Sequence, residues 1–548
     1  MNNETKTLRR DWALGMHQNI TRVGNIAHEQ QLKYSKYNIS VKLKDKGELL
    51  FNSVTKALSR LSTDESLELS SLKEGGSASS CNNAQLISTL AGDGFFVPAA
   101  HDELSIVRDV YFATRHNKST LALTVAPTMA CNLACGYCFQ GLDKDLSKLG
   151  KDVPDGIVDL VKSQIGTLSA LNMTWYGGEP LMAKKEIFDL ADRLITLCDM
   201  NGIQYSSSMV TNGYFLTPKV AEQLWTRRCT SVQITVDGEE ATHDKMRPQI
   251  TGKGSFKTII KNISDVLTLS PIHIALRVNV GRQNVNECKS LLDDFERRGF
   301  AQRKNFTVYF APIDAATSES GTAWEDALGK KEFNDFVLSL SNTAREMGLA
   351  PPIEAPKGIL GMCVAAMDNG YVITHKGDIH KCWETAHDES KRIGTIFKPD
   401  ELNNSLNASV WSAWSPYESE ICKSCKILPM CGGFCGHRTI YQGLGDDQAL
   451  PCPDWKWNTA EYIFSRAKHV GVVKSEEWDP EEASAEKMQT GERHTIDSLR
   501  ASQMTVFEKV GKSRGEKINI DEFLHGPGPG PKRIIESDLE LIAVKIIN

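Results

Sequence analysis

Six short apolar segments, separated by five amphipathic helical stretches, run from residue 121 to about residue 312 and restrict the fold more than any other feature. The strands read as 121–126, 173–176, 207–210, 231–236, 274–280 and 306–310. Helical spacing fills 154–168, 185–198, 218–225, 256–267 and 285–297. Strands alternating with helices in this way give a parallel sheet, because a parallel connection needs a crossover long enough to hold a helix. The sheet is either open or curled into a partial barrel. In both cases chemistry gathers at the carboxyl ends of the strands.

With 548 residues, the chain is long enough for two to four domains. Ahead of the alternating region lies a small α+β module of winged-helix type. A hairpin is expected from 37–43 and 48–52, helical spacing over 54–61 and 84–90, and a short strand at 95–97. The expected divisions are an N-terminal module (1–116), the alternating domain (117–315), a cysteine-rich domain (316–470) and a C-terminal extension (471–548). The extension opens on six carboxylates and no base between Glu476 and Glu486, then alternates Gly and Pro over Gly526 to Pro531. The last apolar stretch, 534–547, reads as an edge strand or an amphipathic segment.

A net charge of −6 offers no basic surface for nucleic acid, and no apolar run approaches the roughly 20 residues that span a bilayer. Met1 to Thr21 lacks the apolar centre of a signal peptide, so a cytoplasmic location is expected. Fourteen cysteines are unusual for such a chain. A long protein that can bury a core does not need disulfide staples, and ten of the fourteen fall into tight groups, as metal ligands do. Cys198, Cys229 and Cys288 sit alone in or beside helical patterns and read as small buried hydrophobes. Cys81 receives no role.

The first group, Cys131-Asn-Leu-Ala-Cys135-Gly-Tyr-Cys138, follows the first strand directly. Three thiolates this close can hold three irons of a cubane cluster and leave the fourth iron open to a small molecule. A zinc site would want four ligands, commonly as two separated pairs. Tyr176-Gly177-Gly178-Glu179-Pro180 ends the second strand; its glycines permit close approach, and Glu179 offers an acceptor to an ammonium.

These motifs resemble the radical S-adenosylmethionine (radical SAM) superfamily, in which an aromatic residue, here Tyr137, precedes the third cysteine. The resemblance implies a partial (β/α)6 barrel and a 4Fe–4S cluster on Cys131, Cys135 and Cys138. It also implies SAM bound at the open iron and split to a 5′-deoxyadenosyl radical, with a reductant such as flavodoxin or ferredoxin as partner. Gly177, Gly178, Glu179 and Pro180 match the family's GGEP motif, which holds the SAM amino group. Asn212, after the third strand, and Thr235, at the end of the fourth, match segments lining the SAM pocket. His243, Asp244 and Arg247 also resemble relatives, without an assigned role.

The remaining cysteines resemble the SPASM extension of peptide-modifying radical SAM enzymes. By that pattern Cys422, Cys425, Cys431 and Cys452 hold one auxiliary 4Fe–4S cluster, and Cys363, Cys382 and Cys435 hold another. The second either keeps an open iron or takes a further ligand such as Asp368 or His375. Sulfatase-maturating relatives carry Asp directly after the second auxiliary cysteine; here Trp383 and Glu384 follow Cys382, which disfavours formylglycine formation. The N-terminal module has the size and order of the leader-binding domain of peptide maturases, and reads equally as a structural cap. The leading expectation is therefore an oxidative, crosslinking maturase of a ribosomally made peptide. Sulfatase-type maturation of a folded protein and a non-catalytic iron–sulfur carrier are the alternatives.

Overall fold

The computed structural model describes residues 31–73, 83–314, 320–351, 362–402, 404–433, 435–441, 451–480 and 494–525. Cys81, Met1 to Thr21, the latter part of the acidic run, the Gly-Pro segment and the terminal apolar stretch lie outside them.

The central sheet has nine strands. Six are parallel and follow the chain in order: β6 (Thr120–Val125), β7 (Ala170–Trp175), β8 (Gln204–Thr211), β9 (Cys229–Thr235), β10 (His273–Val280) and β11 (Phe306–Pro312). Helices Val153–Lys162, Lys184–Met200, Pro218–Trp225, Phe256–Leu269, Cys288–Arg297 and Lys330–Glu346 complete six strand–helix units, a partial (β/α)6 barrel. β6 is buried along nearly all its length, as suits a parallel strand covered on both faces. β8 buries only alternate residues of Gln-Tyr-Ser-Ser-Ser-Met-Val-Thr, so its apolar signal is shorter than the strand.

The other edge of β6 pairs in parallel with β12 (Gly370–Ile373), Ala122 lying opposite Gly370 and Val125 opposite Ile373. β12 continues antiparallel into β13 (Asp378–His380) and β14 (Gly394–Thr395). The barrel sheet thus runs on into the cysteine-rich region, and the turn after β13 carries Cys382.

In the N-terminal module, β2 (Asn38–Lys42), β3 (Glu48–Asn52) and β4 (Leu58–Leu61) form an antiparallel sheet. β1 (Leu32–Tyr34) pairs separately with β5 (Phe96–Pro98). The expected helix over 54–61 is a turn followed by β4. The Asn52 side chain accepts from the backbone N–H groups of Val54 and Thr55, and Lys56 takes a φ of 62°, which no helix tolerates. Leu58 and Leu61 satisfy helical spacing equally well, so periodicity alone misleads there. Both faces of the sheet are covered. Leu49 and Phe51 pack with Cys425, Ile427, Met430 and helix Thr459–His469, whereas Leu50 packs with Leu69, Leu72, Ile87 and Leu90. Among the described residues no helix is long and apolar enough to cross a membrane.

A buried carboxylate holds this module together. Glu48 is fully buried and pairs with Lys42 (2.7 Å) and Lys73, while Ser40 and Ser66 donate to it at 3.1 and 2.7 Å. Burial alone would raise its pKa, but the two lysines and the hydroxyls outweigh that and hold it below the ordinary glutamate value. A group with a depressed folded pKa stabilises above its unfolded pKa, and loses that contribution as pH falls through the folded value. E48A is therefore expected to lower stability by about 2 kcal/mol at neutral pH. Denaturant titrations should show the gap from the native chain closing as pH drops below about 4.

Candidate active site

The cysteine loop is clamped at the carboxyl end of β6. The Ala134 N–H donates to Pro248 O at 2.8 Å, the Ile250 N–H to Asn132 O at 3.0 Å and the Thr322 N–H to Gly136 O at 3.0 Å. Cys131, Cys135 and Cys138 are free thiols, partly covered, and close enough for the charges of Cys131 and Cys138 to act on Cys135. Burial pushes Cys135 up to about 11, and Arg247 opposes this. Lys144 Nζ lies 3.4 Å from Cys138 Sγ. Neighbouring covered thiols whose ionised forms repel one another call for a cationic centre. Among the described residues no three His, Cys, Asp or Glu side chains surround a single-ion position.

The Gly177-Gly178-Glu179-Pro180 turn, at the end of β7, presses onto the chain leading into this loop. Gly178 N donates to Thr128 O (3.2 Å) and Glu179 N to Ala130 O (2.8 Å). A Cβ at Gly178 would lie 2.2 Å from Met129 O and 2.3 Å from Ala130 O; one at Gly177, where φ is 125°, would lie 2.3 Å from Thr128 O. The glycines are required by contact between two stretches of backbone. Gln140 adds a bond from Nε2 to Gly177 O at 3.2 Å.

Glu179 is fully buried and ties this turn to the end of β8. Its Oε1 accepts from Leu181 N (3.0 Å) and Thr211 Oγ1 (2.8 Å), and its Oε2 accepts from Asn212 N (2.7 Å). An ionised carboxylate offers about four acceptor positions, so three are filled by the chain and about one is left. Asn212 is also engaged: Nδ2 donates to Asn132 Oδ1 at 2.8 Å and approaches Cys131 Sγ at 3.9 Å, and Oδ1 accepts from Tyr214 N at 2.9 Å. Thr235, 8% exposed, ends β9 opposite Arg277 of β10.

A buried charged network beside the loop joins Tyr137, expected at the cofactor, to His243 and Arg247, for which the sequence suggested no role. The Tyr137 hydroxyl donates to Asp237 Oδ2 and accepts from Arg247 and from Asn279 Nδ2 (3.1 Å). Asp237 Oδ1 accepts from Asn279 N at 2.7 Å. His243 sets this geometry: its Nδ1 accepts from Asp237 N (3.2 Å), its Nε2 faces Ser255 Oγ (3.1 Å), and Ser255 donates to Arg247 O (2.9 Å). Burial holds His243 well below the ordinary histidine pKa, keeping it neutral as this chain of donors requires. The sequence signal was Asp237-Gly238 at a strand end, with a basic residue one short helix later.

The C-terminal cysteines separate into two neighbourhoods. Cys422, Cys425 and Cys452 act on one another and on Cys431; Cys363, Cys382 and Cys435 form the other set. Burial raises Cys422 and Cys435 to about 12. Asp368 is held by Arg115 and His116, the latter at 2.7 Å, and His375 faces Asp145 at 3.2 Å. The carboxylate that acts on both Cys382 and Cys435 is Glu384. A row of stacked rings joins the two halves of the site. Phe139, next to Cys138, stacks on Tyr176 at 6.5 Å, and Tyr176 stacks on Trp383, next to Cys382, at 5.2 Å.

Residues 125–295 match the Radical SAM superfamily. Mycofactocin maturase MftC of Mycolicibacterium smegmatis is 24% identical over 60% of this chain and 82% of its own length. The serine-type anaerobic sulfatase-maturating enzyme of Klebsiella aerogenes is 26% identical over 56% of this chain and 77% of its own. The crystal structure of Streptococcus suis SuiB bound to precursor peptide SuiA aligns at 15% identity and a TM-score of 0.45, covering 75% of this chain and 97% of that one. Residues 125–295 therefore form a radical SAM domain, and the chain is an enzyme. Its relatives include SPASM-domain maturases.

Because Gly178 packs on two carbonyl oxygens, G178A should cost about 1–3 kcal/mol in overpacking. Thermal or denaturant melts of the purified variant measure that loss. A silent substitution would mean that the turn can move off the cysteine loop.

Proposed function

We propose that this enzyme oxidatively modifies a ribosomally made peptide, joining two of its side chains. One observation supports the reading above others: the Phe139–Tyr176–Trp383 row runs from the Cys131–Cys138 loop to the turn of Cys382, so one row of stacked rings connects the two thiol regions. Cys131, Cys135 and Cys138 would hold a 4Fe–4S cluster, with SAM set against the Gly177–Pro180 turn, Asn212 and Thr235. When bound, that pair supplies one-electron cleavage of SAM and a carbon radical able to take hydrogen from substrate. Glu179 and Asn212 lock the ends of β7 and β8 in register, and the Tyr137–Asp237–Arg247 network fixes the loop from the β9 side. Buried Arg247 offsets the negative charge of the thiolates.

Crosslinking two side chains is a net two-electron oxidation, so the site needs an electron acceptor beyond SAM. Cys422, Cys425, Cys431 and Cys452 would hold one auxiliary cluster in that role, and Cys363, Cys382 and Cys435 another. An external protein such as flavodoxin or ferredoxin would supply the priming electron. The N-terminal module would grip the leader at a strand edge, since both faces of its three-stranded sheet are covered. Sulfatase-type maturation is a second reading, favoured by the Glu384 carboxylate beside Cys382.

Alanine at Cys131, Cys135 or Cys138 is expected to abolish 5′-deoxyadenosine formation under anaerobic reduction. Alanine at Cys422 or Cys425 should leave some uncoupled SAM cleavage but no modified peptide, as read by mass spectrometry. Full product from the latter variants would remove the acceptor role. Formylglycine on a sulfatase peptide would replace crosslinking with the second reading.

A further inference from the structure

The C-terminal extension packs on the auxiliary region and brings one side chain to a cysteine there. His494, 5% exposed, places Nε2 at 3.3 Å from Cys422 Sγ, and its Nδ1 lies 3.2 Å from Ser498 Oγ. We propose that His494 is a positioning residue for the auxiliary cluster of Cys422, Cys425, Cys431 and Cys452, donating an N–H···S hydrogen bond that sets the cluster's reduction potential. The inference rests on the reading that these cysteines hold a cluster.

The direction of the bond follows from proton counting. A ligating cysteine is a thiolate and has no proton to give, so the ring must donate from Nε2. The neutral tautomer with Nε2 protonated leaves Nδ1 as an acceptor, which the Ser498 hydroxyl satisfies by turning its one proton from Thr495 O, 3.0 Å away, to the ring. Thr495 N donates to that same hydroxyl oxygen at 2.8 Å, fixing its position at the helix start. Both ring nitrogens are then paired, and the imidazole is locked in plane by the first turn of helix Ile496–Arg514.

That helix is itself well anchored. Val506, Phe507 and Val510 join the main core, Lys509 pairs with Glu418, Arg514 donates to Asn404 O at 3.1 Å, and Phe507 meets Phe523 of the next helix, Ile520–His525, at 4.9 Å. The crevice beside Cys422 is walled by Trp414, Pro416 and Gly433 on one side and by His494, Ser502 and Val506 of the extension on the other. The extension thus covers the cluster position and supplies a donor to it. Buried Lys456 serves Cys425 in the same way, through a side-chain hydrogen bond. Donors to cluster sulfurs stabilise the more electron-rich, reduced state and raise the potential, and cover from solvent is the other control on it. A raised potential suits an electron acceptor.

The test uses the reconstituted full-length enzyme labelled with 15N-histidine. Pulsed EPR of the reduced protein should show a weak 15N coupling on one auxiliary cluster, absent in H494F. Potentiometric titration should show that cluster's midpoint falling in H494F and partly recovering in H494Q, while the SAM-binding cluster is unmoved. No histidine coupling in native enzyme with its full iron content overturns the inference, whether or not the variants hold their clusters. A strong coupling overturns it too, since it would make His494 an iron ligand. Native enzyme with iron for one cluster only would overturn the auxiliary-cluster reading itself, and this inference with it.

Discussion

Backbone hydrogen bonding along both edges of β6 is the constraint on which the site depends. One edge pairs with β7 from Thr120–Ala170 to Val125–Trp175, and the other pairs with β12 from Ala122–Gly370 to Val125–Ile373. All three strands are parallel, so their carboxyl ends emerge together. The Cys131 loop follows β6 and the Gly177–Pro180 turn follows β7, whereas Cys382 comes after β13, which runs back antiparallel to β12, and its neighbour Trp383 meets the β7 end by stacking on Tyr176. Residues more than two hundred positions apart become neighbours because one buried strand has two bonding edges, and unpaired backbone groups there would be costly.

Packing then turns proximity into a rigid arrangement. Gly178 allows the second turn to rest on the carbonyls of Met129 and Ala130, and Glu179 carries the connection on to Asn212 of the next strand end. Asp237, His243, Ser255 and Arg247 do the same from β9 by a chain of hydrogen bonds with one consistent direction. Buried polar groups of this kind hold because each is paired, and losing one partner leaves the next exposed to its full desolvation cost. The electrostatics of the site share one theme: covered thiols whose ionisation is resisted by burial, with Lys144 and Arg247 nearby as partial compensation.

Much of this was legible in the residues. The strand–helix alternation located all six barrel strands, and the cysteine spacing separated candidate ligands from Cys198, Cys229 and Cys288, which are indeed buried free thiols. Other features were not legible. Residues 54–61 satisfied helical spacing yet form a turn and an edge strand, because Asn52 captures two backbone N–H groups and Lys56 takes a positive φ. Ser-rich β8 looked shorter than it is, since only one of its faces is buried. Asp237, Arg247 and Asn279 are ordinary polar residues along the chain; only their shared burial around Tyr137 marks them.

By itself the sequence determined the chemistry available: three closely spaced thiols after a strand, a glycine-rich turn one strand later, and seven more cysteines in a distinct pattern. Local spacing dictates these because loop ligands and tight turns are set by a few consecutive residues. The tertiary structure decided which groups face one another: the ring row from Phe139 to Trp383, the inward engagement of Glu179, and the seating of His494 on Cys422. Such pairings depend on strand order and helix docking, which arise from burial summed over the whole core and leave no trace in any short stretch of chain.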